Sequence, residues 1–593
     1  MGIVGQECPT YGEARMTNGQ IADVFEQMAD LLEFRGENPF RIRAYRNGAR
    51  AIRNLARSVA SLIDEEPGQL QAVEGIGKAV AEKCEVLLRT GSLPQWERLR
   101  EEIPLGVLSI LRIPSLGPKK AAALYQELKI ETLDQLRQAC EAGRVRELKN
   151  FGAKTEQAIL NGIELAEAAG QRIYWADAEE IVDRLRIDLT AEPGVEQLEF
   201  AGSYRRGRET VGDLDVLVVA AAAPKVMDRL AEFPGVSQVL ARGETKMSVR
   251  LESGLQIDLR IVPAESFGAA LQYFTGSQEH NVELRRRARQ RGLKINEYGV
   301  YRVSSAGEQW VTGRREEQVY AALELPCFPP ELREARQEFH WADAGQLPEL
   351  IRLEDLQGDL HCHTEASDGV ASIEEMVQAA QQQGLNYLAI TDHSQRVAIA
   401  QGLDPQRLLA QWRQIDQLNQ AFGPEFTILK GVECDILEQG GMDLPDEVLA
   451  QADWVLASIH FGQRQPGPQI NARLLQALEN PWVSAIAHPT GRLIHQRPAY
   501  EVDTDTLFAA AAEHGKMLEL NANPWRLDLD DVLCAAAKER GIPLVINSDA
   551  HRPAALATLR YGVLQARRAG LTTADVANTQ SWQQLKKRIG KGR

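Results

Sequence analysis

Apolar residues recur at helical spacing from residue 17 to about 170, then give way to short apolar runs separated by helical stretches. The first part predicts an almost wholly helical region. Before it, residues 1–16 carry Gly and Pro without helical period and read as a loose tail, with Met16 available as an alternative start. From about 171 to 340, runs such as Leu214 to Val219 and Gln256 to Val262 predict strands in a mixed α/β region. Pro326, Pro329 and Pro330 mark its exit, and Trp341 to Arg352 reads as a linker. From Asp359 onward, the runs Tyr387 to Thr391, Phe426 to Gly431, Trp454 to Ile459, Val483 to Ala487, Met517 to Leu520 and Leu544 to Asn547 alternate with helical segments. That is the pattern of a βα barrel.

A chain of 593 residues exceeds what one hydrophobic core usually organises, so several domains are expected. No apolar run reaches the roughly 18 residues that a membrane span needs, and the N-terminus has no basic segment followed by an apolar one. The expectation is a cytoplasmic enzyme with no membrane partner. The seven cysteines are odd in number and never form a C-x-x-C pair, which argues for reduced thiols rather than a disulfide framework or a zinc ribbon.

A net charge of −16 speaks at first against a nucleic-acid ligand, because phosphates require local positive potential. The pattern changes that picture. Arg43, Arg46, Arg50, Arg53 and Arg57 recur three and four residues apart, which places them on one helix face, while Ile42, Ala49, Ile52 and Val59 lie on another. Arg285, Arg286, Arg287, Arg289 and Arg291 form a second cluster. The plainer alternative is a solvated charged face. Three segments then share one design: Val73 to Lys78 with Gly75, Gly77 and Lys78; Ile113 to Lys120 with Gly117 and Lys119; and Leu148 to Lys154 with Gly152 and Lys154. Each is an apolar residue, a glycine turn and a new helix with lysine in its first turn. A helix start offers unpaired N–H groups, glycine lets a phosphate approach them, and lysine adds charge. These segments resemble helix-hairpin-helix motifs, which grip DNA backbones. A Walker loop is excluded by its spacing.

Between 200 and 260 stand Gly202-Ser203-Tyr204-Arg205-Arg206-Gly207, then Gly212-Asp213-Leu214-Asp215 opening an apolar run, then Ile257-Asp258-Leu259 in another. Side chains two apart on a strand share a face, so Asp213 and Asp215 converge, and Asp258 from a neighbouring strand would complete a cradle for two hard cations such as Mg²⁺ or Mn²⁺. Gly202, Ser203 and Arg206 supply a turn for the β and γ phosphates of a triphosphate. A surface D-x-D pair is the bland reading of the aspartates alone. With Tyr273-Phe274-Thr275-Gly276-Ser277 and Ile295-Asn296-Glu297-Tyr298 added, residues 17 to about 340 resemble a family X DNA polymerase of the beta type. The resemblance implies that Tyr273, Phe274 and Gly276 meet the incoming nucleotide, Asn281 its minor-groove edge and Arg285 the template strand. It also implies that Lys83 is a Schiff-base nucleophile toward a 5′ deoxyribose phosphate, with Tyr45 and Arg46 lining that pocket; the alternative is that Lys83 is one more phosphate contact. One departure concerns Gln256, where animal relatives carry arginine. Ala79 and Arg41 likewise stand where lysines are usual.

Six of the ten histidines end or follow a predicted strand: His361, His363, His393, His460, His488 and His551. Asp359, Asp368, Asp392, Glu433 and Asp549 accompany them. Barrel sites form at the C-terminal ends of strands, where residues distant in sequence converge, and imidazole with carboxylate suits Zn²⁺, Mn²⁺ or Fe ions. The segment resembles the PHP domain, whose pattern maps onto His361, His363, Asp368, His393, Glu433, His460, His488, Asp549 and His551. Cys362 and Cys434 adjoin ligands but point the other way along their strands and read as packing residues.

Together the resemblances imply a multi-domain chain: an all-α helix-hairpin-helix N-terminal region, an α+β nucleotidyltransferase palm and thumb, and a C-terminal distorted βα (TIM-like) PHP barrel. The divisions are 1–16 tail, 17–95 helical lyase-like domain, 96–170 helix-hairpin-helix region, 171–265 palm, 266–340 thumb, 341–355 linker and 356–593 PHP barrel. The function implied is gap-filling DNA polymerisation in repair, with a 3′ to 5′ exonuclease or abasic-site endonuclease in the PHP domain. Gapped or primed double-stranded DNA and deoxynucleoside triphosphates are the implied partners of a nucleoid-associated monomer. The alternatives are a small-molecule phosphoesterase tethered to DNA and a non-enzymatic scaffold.

Overall fold

The computed structural model describes Met16 and residues 18–589, except 54, 56–58, 66–67, 74, 104–106, 108–109, 111–112, 114–115, 117, 150, 170–171, 306 and 424–425. The expectations placed on the tail, on Arg57 and Gly117, and on the side chains of Arg53 and Lys119 lie outside the described residues. Among the described residues no helix is long and apolar enough to cross a membrane.

The N-terminal region is helical from Asn18–Phe34 through Pro39–Arg53 and Lys78–Thr90 to Ala153–Ala169. One continuous core runs through it, from Phe25, Met28 and Leu31 past Tyr45, Ala49 and Ile52 to Leu124, Leu136 and Ile159. It therefore crosses the expected division near residue 95, because helices on both sides contribute apolar faces to the same interior.

The palm is a five-stranded sheet in the order Val195–Phe200, Asp213–Ala220, Gln256–Ile261, Lys246–Leu251, Val236–Arg242. Strand alternation sorts its residues. Leu214, Val216, Val218, Ile257 and Leu259 face the helix Trp175–Thr190 through Val182 and Leu185. Leu217 and Val219 face the opposite way, under Phe267, Ala270 and Leu271 of the helix Phe267–Thr275. Asp213 and Asp215 share that second face, ahead of the apolar pair on the same strand. The thumb adds a three-stranded antiparallel sheet, Leu293–Asn296, Gly299–Ser304 and Gly307–Thr312, packed on Gln278–Gln290 and Glu316–Ala321.

The stretch read as a linker is more ordered than its composition suggests. Glu338–Asp343 is a helix, and Leu350 and Ile351 are buried, with Ile351 N–H bonded to the Leu571 carbonyl at 3.0 Å. Two adjacent apolar residues set no period that would signal this, yet Ile351 docks the chain onto the barrel.

The barrel has seven parallel strands in sequence order: Gly358–Cys362, Tyr387–Ile390, Thr427–Asp435, Trp454–Ser458, Ala485–Ile486, Met517–Asn521 and Leu544–Asn547. A bridge between Cys362 and Ala550 brings first and last strands together, with His363 N–H donating to the Ala550 carbonyl at 2.8 Å. Leu360, Tyr387, Ala389, Leu429, Trp454, Leu456 and Met517 fill the interior, while Leu388, Ile390, Ile428, Val432, Val455 and Leu518 face the surrounding helices. Leu585 of the helix Trp582–Ile589 joins the interior cluster beside the strand starts Tyr387 and Trp454. The opposite, C-terminal ends of the strands remain available for chemistry.

Candidate active sites

The parallel pairing of Asp213–Ala220 with Gln256–Ile261 sets Asp215 directly beside Asp258, and Asp213 beside Gln256. Three carboxylates thus gather on one face of two strands. Burial, then the charges of Asp213 and Asp258, push the Asp215 carboxyl up to about 7. Asp258 is oriented from two sides: the Ser248 hydroxyl donates to Oδ1, and Gln256 Nε2 donates to Oδ2 at 2.8 Å. Gln256 therefore meets the third aspartate directly, with a neutral donor. Arg172, which the sequence reading missed because it stands alone outside any motif, donates to the Thr210 hydroxyl at 2.9 Å, and its charge acts on Asp213.

Beside the carboxylates lies the turn from Gly202 to Gly207. Gly202 sits at φ +64°, and a Cβ there would come within 2.7 Å of Asp215 Oδ2, so glycine is required by both conformation and space. The Ser203 hydroxyl is buried without a partner among the described residues, an acceptor and donor left for a ligand. Arg206 donates to the Thr275 carbonyl at 2.6 Å and to Glu334 at 3.1 Å, which brings it against Gly276. Arg205 is bonded to Glu316 at 2.9 Å through both nitrogens of its fork. Tyr273 and Phe274 pack edge to face at 5.1 Å, and Arg260 covers the Phe274 ring at 4.3 Å. Asn281 donates to the Tyr273 carbonyl and accepts from Gln272, both at 2.7 Å. Arg285 is half-buried on the same helix.

At the C-terminal end of the barrel the histidines and carboxylates expected from sequence converge. They form three overlapping groups whose donor atoms lie within 4.8 Å of one another: His363, Asp368, His393 and His551; His361, His363 and Glu433; His393, Glu433 and His460. His488 joins them, its Nε2 2.9 Å from Glu433 Oε1, and Asp549 Oδ1 stands 3.3 Å from His363 Nε2. Burial alone would raise the Glu433 carboxyl, but His460, His393 and His361 around it hold it well below the ordinary carboxylate range. The His361 Nε2, both His363 ring nitrogens and His393 Nδ1 are buried with carboxylate oxygens 2.9 to 3.7 Å away, yet none makes a well-directed hydrogen bond among the described residues. Orphaned imidazole nitrogens aimed at shared carboxylates are what a metal-binding site needs. His488 and Asp549 hold φ of +29° and +54°, strain of the kind that persists where the surroundings over-determine a site. Cys362 and Cys434 are fully buried in the apolar layer outside the barrel.

Comparison with known proteins finds matches in both halves of the chain. Residues 16–93 match a helix-hairpin-helix domain, 107–164 a SAM-like helix-hairpin-helix tandem, 270–334 the DNA polymerase beta thumb and 359–523 the PHP domain. The DNA polymerase/3′-5′ exonuclease PolX of Bacillus subtilis (strain 168) is 40% identical over 569 residues, covering 95% of this chain and 98% of that protein. This chain belongs to the bacterial PolX family of DNA polymerases. Shorter likenesses include a probable phosphatase of Thermoanaerobacter sp. (strain X514), 30% identical over 37% of this chain and 89% of that protein. A probable phosphatase of Acetivibrio thermocellus is 33% identical over 32% of this chain and 78% of that protein.

In this PolX family member several groups that sequence reading missed support the metal-binding cluster. Glu519 Oε1 lies 2.7 Å from His361 Nδ1, and its Oε2 accepts from the His488 N–H at 2.7 Å. Asp435 stands 3.2 Å from His460 Nδ1. Asp392 is no member of the three groups; it ties down the loop that carries Asp368 by accepting from Thr364 and Gln411. Glu519 sits mid-strand in an apolar run, where a single buried acid is the only signal. Carboxylates behind ligating histidines fix ring orientation and basicity, so Glu519→Gln is expected to weaken metal binding by about 10- to 100-fold. Competition with a chelator measures this, and parent-like affinity would contradict it.

The helical region departs from the uniform basic face read in its sequence. Arg46 pairs with Asp30 at 2.8 Å and with Glu33, and Arg50 pairs with Glu279 at 3.1 Å. In the second cluster Arg286 and Arg287 pair with Glu283, and Arg287 also with Asp343. Asp30, Glu33, Glu279 and Asp343 come from other helices, which charge spacing along one helix could not reveal, whereas Glu283 stands three and four residues before its partners on their own helix. Gly77 caps Lys78–Thr90 with open space around it, Gly152 precedes Ala153–Ala169 with the same freedom, and Lys78 and Lys154 are exposed. Gly75, at φ +93°, turns against Asn47 and Ala51. Lys83 Nζ lies 5.8 Å from the centre of the Tyr45 ring.

Proposed function

We propose that this chain is a DNA-directed DNA polymerase that fills short gaps during repair, and that its PHP barrel is a nuclease acting on 3′ ends and abasic sites. The observation that carries the first part is the pairing of Asp215 with Asp258 beside the Gly202 turn. Asp213, Asp215 and Asp258 would hold two divalent cations, Mg²⁺ or Mn²⁺, which lower the proton affinity of the primer 3′ hydroxyl and neutralise charge on the reacting phosphate. Around them, Gly202, Ser203 and Arg206 receive the β and γ phosphates. Tyr273, Phe274 and Gly276 bound the sugar, Arg285 meets the template, and Asn281 exchanges one of its present amide bonds for the new pair's minor-groove edge. Helix starts after Gly77 and Gly152, with Lys78 and Lys154, grip the DNA backbone without reading its sequence, and the sequence pattern around Gly117 and Lys119 argues for a third such contact.

In the barrel, His361, His363, Asp368, His393, Glu433, His460, His488, Asp549 and His551 would hold Zn²⁺, Mn²⁺ or Fe ions, whose chemistry is to ready water for attack on a phosphodiester near neutral pH. The chain acts on DNA and deoxynucleoside triphosphates as a cytoplasmic monomer. Residues 171–265 serve as palm, 266–340 as nucleotide-selecting thumb and 356–593 as nuclease. A tethered small-molecule phosphoesterase would have no use for three converged carboxylates in the palm.

The test offers each deoxynucleotide separately to a one-nucleotide gap in the presence of Mg²⁺ or Mn²⁺. Addition of the template's complement alone supports the reading, and addition regardless of template, or none, overturns it. The same reading assigns Lys83 the Schiff-base role. Borohydride with an incised abasic substrate is expected to trap a covalent adduct in the parent and none in Lys83→Ala. An equal adduct in both would assign the imine to another amine.

A further inference from the structure

Polar groups of the barrel reach the palm at Tyr174, at Glu179 and along the segment from Gly202 to Glu209, which carries the turn beside the carboxylates. On the barrel helix Leu559–Arg568, Gln565 Nε2 donates to the Gly207 carbonyl at 3.0 Å, and Arg568 Nη1 donates to the Arg206 carbonyl at 2.6 Å. Leu564 of that helix lies so close that a Cβ on Gly207 would stand 2.5 Å from its Cδ1. Tyr204, stacked on Trp175 at 5.0 Å, is backed by Tyr561, whose ring meets Trp175 edge-on at 5.8 Å. Four residues beyond His488, Arg492 donates to the Glu209 carboxylate at 2.7 Å.

A shared ion pair locks the arrangement. Glu334 Oε1 accepts from Arg206 at 3.1 Å and from Arg568 at 3.0 Å, while Arg568 also pairs with Asp531 at 2.8 Å. Gln565, Arg568, Glu334 and Asp531 are all buried. In such surroundings removing one partner leaves an unmatched charge or an unmade bond, so the network holds one geometry rather than several. The guanidinium that Glu334 orients belongs to Arg206, and the segment held from below carries the unpartnered Ser203 hydroxyl.

We propose that the PHP barrel is a structural part of the polymerase's triphosphate site, with Gln565 and Arg568 as positioning residues that set the turn receiving the β and γ phosphates. The proposal rests on the reading of Gly202 to Arg206 as that turn. Contacts to those phosphates exist before the chemical step as well as during it, so loosening the turn weakens nucleotide binding more than turnover. The barrel's own metal-binding cluster lies at the strand ends, and neither residue is among its ligands.

Gap filling by the full chain, with the nucleotide concentration varied, tests this in Arg568→Gln and Gln565→Leu. Exonuclease activity on a labelled single strand without nucleotides reports folding. Expected is a rise of about tenfold in the nucleotide KM with kcat within about threefold of the parent and the exonuclease unchanged. Parent-like KM in variants with intact exonuclease overturns the proposal. If Arg568→Gln fails to fold, Gln565→Leu, which leaves every ion pair in place, decides on the same KM criterion. A parent chain that adds no nucleotide would instead overturn the polymerase reading itself.

Discussion

Asp258→Ala is expected to lower templated nucleotide addition by at least about 10³-fold while leaving the nuclease and DNA binding at parent levels. Asp258 is the carboxylate that the structure fastens most firmly, by Ser248 and Gln256, and it stands in register with Asp215. Removing it takes away a cation's anchor and leaves the phosphate-gripping helix starts untouched. The loss is not one of folding. Asp258 is one of the charges that raise the Asp215 carboxyl, so its removal relieves repulsion, which offsets the lost bonds from Ser248 and Gln256. Primer extension beside a thermal melt separates the two effects, and near-normal extension would remove Asp258 from the site.

The second large effect is expected at Glu433. Its two oxygens face five imidazoles: His361 at 3.4 Å, His363 at 3.6 Å and His393 at 2.9 Å on one side, His460 at 3.4 Å and His488 at 2.9 Å on the other. Two of the three donor groups include it. Glu433→Ala should therefore lower bound metal and reduce cleavage of 3′ ends by at least about 10³-fold, with polymerisation spared. Loss of one peripheral ligand such as His551, which belongs to a group without Glu433, should cost less. Elemental analysis and a nuclease assay on the same sample measure both, and a variant with full metal content and parent cleavage would place the nuclease elsewhere.

Much of this site chemistry was legible because strand period and barrel topology convert sequence spacing into geometry. Asp213 and Asp215 are two apart on one strand, and parallel pairing brings Asp258 alongside. The barrel histidines each stand near the end of a strand or just after one, so their convergence needs only that the strands run parallel. What sequence hid was pairing between elements. Arg46 reads as a free cation until helix Asn18–Phe34 brings Asp30 and Glu33 against it. Glu519 reads as a stray acid until His361 and His488 arrive from other strands. Leu350 and Ile351 read as linker because two adjacent apolar residues carry no period, yet both are buried and Ile351 seats the chain on the barrel. The docking of Gln565 and Arg568 on the palm joins residues more than 350 apart, which no local pattern encodes.

The central claim is that one chain carries two separate metal-dependent centres, one adding nucleotides and one removing them. End-labelled gapped DNA, incubated with Mg²⁺ or Mn²⁺ with and without nucleotides, tests it when the parent, Asp258→Ala and Glu433→Ala are run side by side. The account predicts that the parent lengthens the primer with nucleotides and shortens it without them, that Asp258→Ala only shortens it, and that Glu433→Ala only lengthens it. Loss of both activities in either variant, with the protein still folded, would contradict two separate centres.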